Sequence, residues 1–257
     1  MASAIDVDRD TLVAFLLRLA DDHLVLGHRL SEWCGHAPML EEDLAMPNMA
    51  LDLIGQARAL YDHVAAVEGK GRTEDDFAFL RREREYLNCL MVERPNGDFA
   101  HTMLRQFYFA AFMDPLWRGM MASDDTVLAG IAAKAVKEVA YHIRHAGEWV
   151  VRLGDGTDES RRRMVSAIET LAPYVEELFE TDRVTKTVAE AGIAPEPATL
   201  RGDFDRTVGM VFAEAGLEWV RPAFGQTGGR KGRHTEAMGY LLTELQYMQR
   251  TYPGATW

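Results

Sequence analysis

Cysteine is scarce. Cys34 and Cys89 are the only two in 257 residues, and they form no CxxC pair. Neither a disulfide framework nor a cysteine-based zinc site is expected. Positive charge is also in short supply: 28 Lys and Arg against 40 Asp and Glu leave a formal charge of −12. Such a surface repels phosphate backbones and anionic lipid, so neither nucleic acid nor a membrane is an expected partner. Long apolar runs are missing, and no window approaches the ~18 apolar residues a spanning helix needs. The opening MASAIDVDRD has no basic stretch followed by an apolar run. No signal peptide is therefore expected, and the expected address is the cytoplasm. Strand-type alternation, low-complexity tracts and short tandem repeats are absent too.

What is present is helical periodicity. Apolar residues make up 47% of the chain, enough for a substantial core. Leu12, Phe15, Leu16, Leu19, His23, Leu26, Leu30 and Trp33 fall on one stripe. Val13, Leu17, Asp21 and Leu24 form a second stripe on nearly the opposite face, so neighbours are expected on two sides of this helix. A second helix is expected to open near Pro47-Asn48 and to end at Gly69. Asp98 reads as an N-cap for a third, with Pro115 as a kink or local break. The cleanest pattern is Leu128, Ala132, Val136, Val139, Ile143, Ala146, Val150 and Leu153. The reading is all-α: four long helices (about 10–33, 47–68, 98–122 and 124–153) with several shorter ones, as in a four-helix bundle, in a single domain spanning 1–257.

Bundles of this kind often hold two metal ions through Glu-x-x-His, because residues three apart share a helical face. The eight histidines, His23, His28, His36, His63, His101, His142, His145 and His234, are preceded three positions earlier by Ala20, Val25, Trp33, Leu60, Asp98, Val139, His142 and Lys231. There is no Glu-x-x-His. Glu138 and His142, four apart on a long helix, come nearest. With His145 and Trp149 they read as a structural polar strip or a subunit-facing surface, with Asp21, Asp52 and Gln56 as candidate partners. Asp98 and His101 have the right spacing, but they sit at a helix start, where a cap explains the carboxylate.

The segment GQTGGRKGRHTE, residues 225–236, is glycine-rich and basic within an acidic chain. Arg230, Lys231 and Arg233 could form an interface or cradle a phosphate. The segment lacks GxxxxGK[ST] order and no strand precedes it, so a loop packing on the bundle or on a partner is the preferred reading. Ser31, Ser123 and Ser160 lie in no GxSxG elbow, and Cys34 near His36 reads as packing. Met103, Phe107, Tyr108, Phe109, Phe112, Met113 and Trp117 are denser than one buried face needs; they read as core, with part of the cluster open to an interface.

The stretches RLADDHLVLGHRLSEWCGHAP, NMALDLIGQARAL, VERPNGDFAHTMLRQ, KAVKEVAYHIRHAGEWVVRLGDGTDES and GGRKGRHTEAMGYLLTELQYMQRTYPGATW resemble, in order from about residue 11 to the end, the C-subunit family of bacterial phenylacetyl-CoA oxygenases (ring epoxidases). The resemblance implies a ferritin-like fold with additional shorter helices. It implies a structural, non-catalytic place in a multicomponent oxygenase of aerobic phenylacetate breakdown, which uses O2 and NADPH-derived electrons. The di-iron centre would lie in the catalytic A subunit, the small B subunit would join the pairs, and a reductase would hold flavin and an iron–sulfur cluster. This chain would carry no cofactor and no catalytic residue, and Arg230, Lys231 and Arg233 could meet the coenzyme A phosphate only if they lie near the subunit interface. Relics of a metal centre, if kept, would be Asp21, Asp52, Glu138 and His142. Two alternatives stand beside this: a ferritin-like oxidoreductase with its own metal, and a pure interaction module; self-association is a further partner expectation.

Overall fold

The computed structural model describes residues 7–220 and 222–255; MASAID at the start and the terminal Trp257 quoted above lie outside them. Among the described residues every regular element is helical. The α-helices are α1 (Arg9–Ser31), α2 (Leu40–Glu68), α3 (Glu74–Phe79), α4 (Leu90–Glu93), α5 (Phe99–Met120), α6 (Thr126–Gly154), α7 (Asp158–Val175), α8 (Arg183–Glu190), α9 (Arg201–Glu214) and α10 (Glu236–Thr251). They gather into two compact units. One comprises Asn96–Gln226, with α5 to α9; the other comprises Asp8–Pro95 with the chain from Thr227 onward, holding α1 to α4 and α10.

In the second of these units α1 packs along α2 and against α4, and α10 packs against α3 and α4. On one stripe of α1 Leu12, Phe15, Leu16 and Leu19 are buried; on the other Asp21 and Leu24 are buried, while Val13 and Leu17 are half-buried. Its start is fixed by Asp8, whose side chain accepts from the Thr11 amide at 2.9 Å. α2 opens at Leu40, about two turns before the expected start, and Pro47 lies inside it. Proline removes one donor and crowds the preceding turn, but a helix held by tertiary packing tolerates that loss. Here Met46, Met49 and Ala50 flank Pro47 and are buried. Gly69 ends α2 in the left-handed conformation at φ 68°, as the sequence implied.

In the other unit α5 packs against α6, α7 and α9. Asp98 caps α5 by accepting from the His101 amide at 2.9 Å. Pro115 does not end that helix; α5 runs on to Met120. Met103, Phe107, Tyr108, Phe109, Phe112, Met113 and Trp117 are all buried within the chain itself. Tyr108 meets Phe204, Phe212 and Trp219 at ring-centroid distances of 6.0, 6.2 and 5.4 Å. The segment 183–206 forms α8, a short 3-10 turn at Pro197–Leu200 and the start of α9. α6 buries Leu128, Ala132, Val139, Ala146 and Val150 and leaves its far side open.

Candidate functional site

The polar chemistry of the unit that holds α1 begins with two adjacent carboxylates in the middle of α1. Asp21 and Asp22 are both fully buried. An unpaired buried carboxylate would be neutralised or would unfold its surroundings. Each is instead met by its own arginine.

Asp21 forms a forked ion pair with Arg81: one oxygen takes an Arg81 nitrogen at 3.1 Å, and the other takes the second nitrogen in a shorter contact. Tyr61 from α2 donates its hydroxyl to Asp21 at 2.5 Å, and the Leu87 amide donates at 2.7 Å. Arg81 also donates to the carbonyls of Phe77 at 2.7 Å and Glu85 at 2.8 Å. Burial opposes the arginine's charge, but Asp21 outweighs it and holds Arg81 above its ordinary range. Burial, reinforced by the Asp21 charge, pushes the Tyr61 hydroxyl well up, so it stays protonated and donating. Tyr86 closes the cluster: its ring lies 4.1 Å from the Arg81 guanidinium, and burial pushes its hydroxyl up to about 12.

Asp22 faces the other way. Arg230 reaches it at 2.8 Å and also donates to the carbonyls of Arg18 and Leu87. The Cys89 amide donates to Asp22 at 2.7 Å. Burial pushes the Asp22 carboxyl up, against the pull of Arg230.

A third buried carboxylate, Glu93, holds the start of α10. It accepts from His234 at 2.7 Å, from Asn88 at 3.0 Å and from the Thr235 amide at 2.5 Å. The second ring nitrogen of His234 lies 2.9 Å from the Tyr86 carbonyl. Both ring nitrogens thus face acceptors, which suits the doubly protonated imidazolium. Burial works against that charge, but Glu93 prevails and raises His234 above its ordinary value.

The residues singled out from the sequence fall in different places. Asp21 is the hub of the arginine cluster in its unit. Asp52 is half-buried on α2. In the other unit, Glu138 is half-buried and ion-paired with Lys134 at 3.3 Å. His142 is buried, with the Gln106 side chain 3.2 Å from its Nδ1. Arg230, Lys231 and Arg233 do not make one basic patch: Arg230 turns inward to Asp22, while Lys231 and Arg233 are exposed. Among the described residues no group of three or more His, Cys, Asp or Glu is arranged to hold a metal ion. The donor chemistry agrees with that geometry. Asp21 has its oxygens taken by a guanidinium, a phenol and an amide, and Glu138 has a lysine beside it, so these residues do not fit a di-iron pair.

Sequence reasoning missed Arg81, Glu93 and the inward turn of Arg230. One signal was available. Two consecutive aspartates inside an apolar helix demand two cationic partners, and the basic residues near 81–84 and 230–233 were the islands that could supply them.

A family model described as phenylacetic acid catabolic protein matches residues 1–257. The chain is also 47% identical over 246 residues to the C subunit of 1,2-phenylacetyl-CoA epoxidase from Escherichia coli (strain K12); the match covers 96% of this chain and 99% of that one. No helix among the described residues is long and apolar enough to cross a membrane.

Proposed function

The chain belongs to the phenylacetic acid catabolic protein family, and from that premise we propose that it is the structural, non-catalytic subunit of a multicomponent oxygenase that epoxidises the aromatic ring of phenylacetyl-CoA with O2 and NADPH-derived electrons. Its partners in this reading are the catalytic A subunit, which holds a di-iron centre, and the small B subunit, with electrons from a reductase holding flavin and an iron–sulfur cluster. The 47% identity to the C subunit of an epoxidase supports the assignment to that complex. The two long helix pairs, α1 with α2 and α5 with α6, are the four helices that a ferritin-like bundle in one domain over 1–257 would use. Cys34, read from the sequence as packed, is instead free and exposed, which fits the reducing cytoplasm we infer as its address.

The observation that carries the non-catalytic half of the reading is the Asp21–Arg81 pair. A carboxylate on a long bundle helix is the residue type a metal pair would recruit. Here it is neutralised by an arginine that is itself buried and hydrogen-bonded to two backbone carbonyls. A cation already occupies the position of charge balance, and a dication beside it would be repelled.

Elemental analysis tests this. The chain purified alone from iron-replete cells is expected to carry no stoichiometric iron or manganese. Its complex with the A subunit is expected to carry about two irons per catalytic subunit. Stoichiometric metal in the lone chain would make it an oxidoreductase in its own right and end this reading. The supporting role has its own check. The A subunit, produced without this chain, is expected to be unstable or inactive, because a reactive iron–oxygen pocket must be kept rigid and dry. Full solubility and activity of the lone A subunit would refute it.

A further inference from the structure

α2 carries a second repeat that the chain's own core uses only at Ile54, which leans on Gly27 of α1. Leu40, Leu44, Pro47, Leu51, Ile54 and Arg58 follow one another at alternating intervals of four and three residues. That spacing keeps one line of side chains on one side of a helix, the pattern of a seam that receives another helix. The core-facing side is the opposite one, where Met46, Met49, Leu53, Leu60 and Val64 are buried. Along the seam Leu40, Leu44 and Leu51 are 69%, 60% and 65% exposed, and Ile54 is 37% exposed. Scattered exposed leucines need no explanation, but a continuous line of them marks an interaction surface.

Two further features lie on the same face. Gly55 sits beside the seam, and a Cβ placed there would meet nothing within 4 Å. Glycine inside a helix costs about 1 kcal/mol relative to alanine, and nothing in this chain's packing requires it at 55. It leaves the backbone of α2 open to close approach. Next to Ile54 and Arg58 a recess of about 310 Å³ opens, walled also by Leu24, Tyr61, Glu74 and Phe79.

The rim of the seam identifies the chemistry of its occupant. Asp43 and Asp62 lie beside the seam on α2, with Glu41 and Asp52 more than a quarter turn farther round the helix; Arg58 is the seam's basic residue and is already paired with Glu74 at 3.1 Å. A second copy of a chain of charge −12 would bring like charges together. A helix with an apolar three-four repeat flanked by Lys and Arg would be complementary.

We propose that this face of α2 is where the catalytic partner subunit docks, through such a basic-flanked amphipathic helix laid along Leu40 to Arg58 with one bulky apolar side chain in the recess beside Ile54. The identity of the partner rests on the functional reading above. The seam is narrower than the ~800 Å² each partner gives to a stable interface, so it forms the apolar centre of a wider contact.

The test uses full-length chains and an A subunit co-expressed with the tagged wild-type chain, for which each untagged variant competes in the same cells. Binding is measured for the wild type, for Leu44→Glu/Leu51→Glu, for Gly55→Gln, and for Met210→Glu as a control at an exposed apolar residue on α9. Circular dichroism and sedimentation of each chain alone accompany the binding data. The double variant and Gly55→Gln are expected to bind at least about 30-fold more weakly, with Met210→Glu unchanged. Gly55→Gln raises helix propensity, so its effect cannot come from unfolding; should the double variant unfold, Gly55→Gln decides alone. Wild-type binding that survives in both α2 variants overturns the docking face and leaves the functional reading intact. A wild-type dimer that the double variant dissociates, with the partner still bound, gives the seam to a second copy and also overturns it. If the wild-type chain does not bind the A subunit, the functional reading fails, and the occupant named here fails with it.

Discussion

Asp21 and Asp22 are neighbours in sequence, yet they look in different directions and serve different partners. Asp21 anchors Arg81 and the 81–87 segment; Asp22 anchors Arg230 and the glycine-rich loop. Removing one member of a buried ion pair strands the other, and that costs more than the pair contributes. Asp21→Ala is therefore expected to lower stability by about 3–5 kcal/mol, and Asp21→Ala with Arg81→Met to recover most of it. Urea titration of the wild type and the two variants reads this directly, and a loss below about 1 kcal/mol for Asp21→Ala would contradict the buried-pair account. His234 gives a pH signature. Its folded value is raised above that of the free imidazole, mainly through Glu93 working against burial. Its stabilising contribution is thus fully present below about pH 6.5, and it is lost as pH rises through the folded value. The stability difference between wild type and His234→Gln, followed from about pH 5.5 to 9, is expected to shrink with rising pH. A difference that grows with pH would reverse the sign assigned to this residue.

Helices were legible in the sequence because their signals are local. The buried faces of α1 and α6, the Asp98 cap and the Gly69 stop all come from periodicity or from one residue's chemistry. The early start of α2 was not legible, because Pro47 is read as a boundary while the packing of Met46 and Met49 holds the helix through it. The partners of Asp21 and His142 were not legible either. Arg81 comes from a short charged segment without periodicity, and Gln106 was hidden within the aromatic run of α5. The loop at 227–233 shows local and distant information meeting. Its glycines announce a tight loop, but only the fold shows what they touch. A Cβ on Gly229 would come 2.1 Å from the Asn88 carbonyl oxygen, and one on Gly232 would come 2.2 Å from that of Arg84. Gly232 also has φ 67°, which disfavours any other residue. Gly232→Ala is expected to cost about 2–4 kcal/mol and to expose Arg230 and His234. Limited proteolysis within 225–236 should rise accordingly. An unchanged cleavage rate and unfolding midpoint would mean that the loop gives way without cost.

At the scale of the whole molecule the dominant quantity is charge. A formal −12 on 257 residues gives the chain a field of one sign, and the apolar seam on α2 is bordered by acidic residues. Fields of this kind act over about a Debye length, roughly 8–10 Å at 0.10–0.15 M salt, and they govern the approach of a partner more than its escape. The buried clusters around Asp21, Asp22 and Glu93 are out of reach of salt, because their arginines and histidine are inside the fold. Salt should therefore separate the two kinds of electrostatics. Between about 0.05 and 0.5 M sodium chloride the association rate with a basic-flanked catalytic partner is expected to fall by about tenfold or more, with the dissociation rate changing several-fold less. Over the same range the urea midpoint of the chain alone should barely move. Stopped-flow mixing and equilibrium unfolding measure the two quantities on the same preparation. A salt-independent association rate would mean that the partner's complementary surface is not basic. It would leave apolar contact along Leu40 to Ile54 as the source of recognition, with the acidic rim serving only to keep the unassembled chain from pairing with itself.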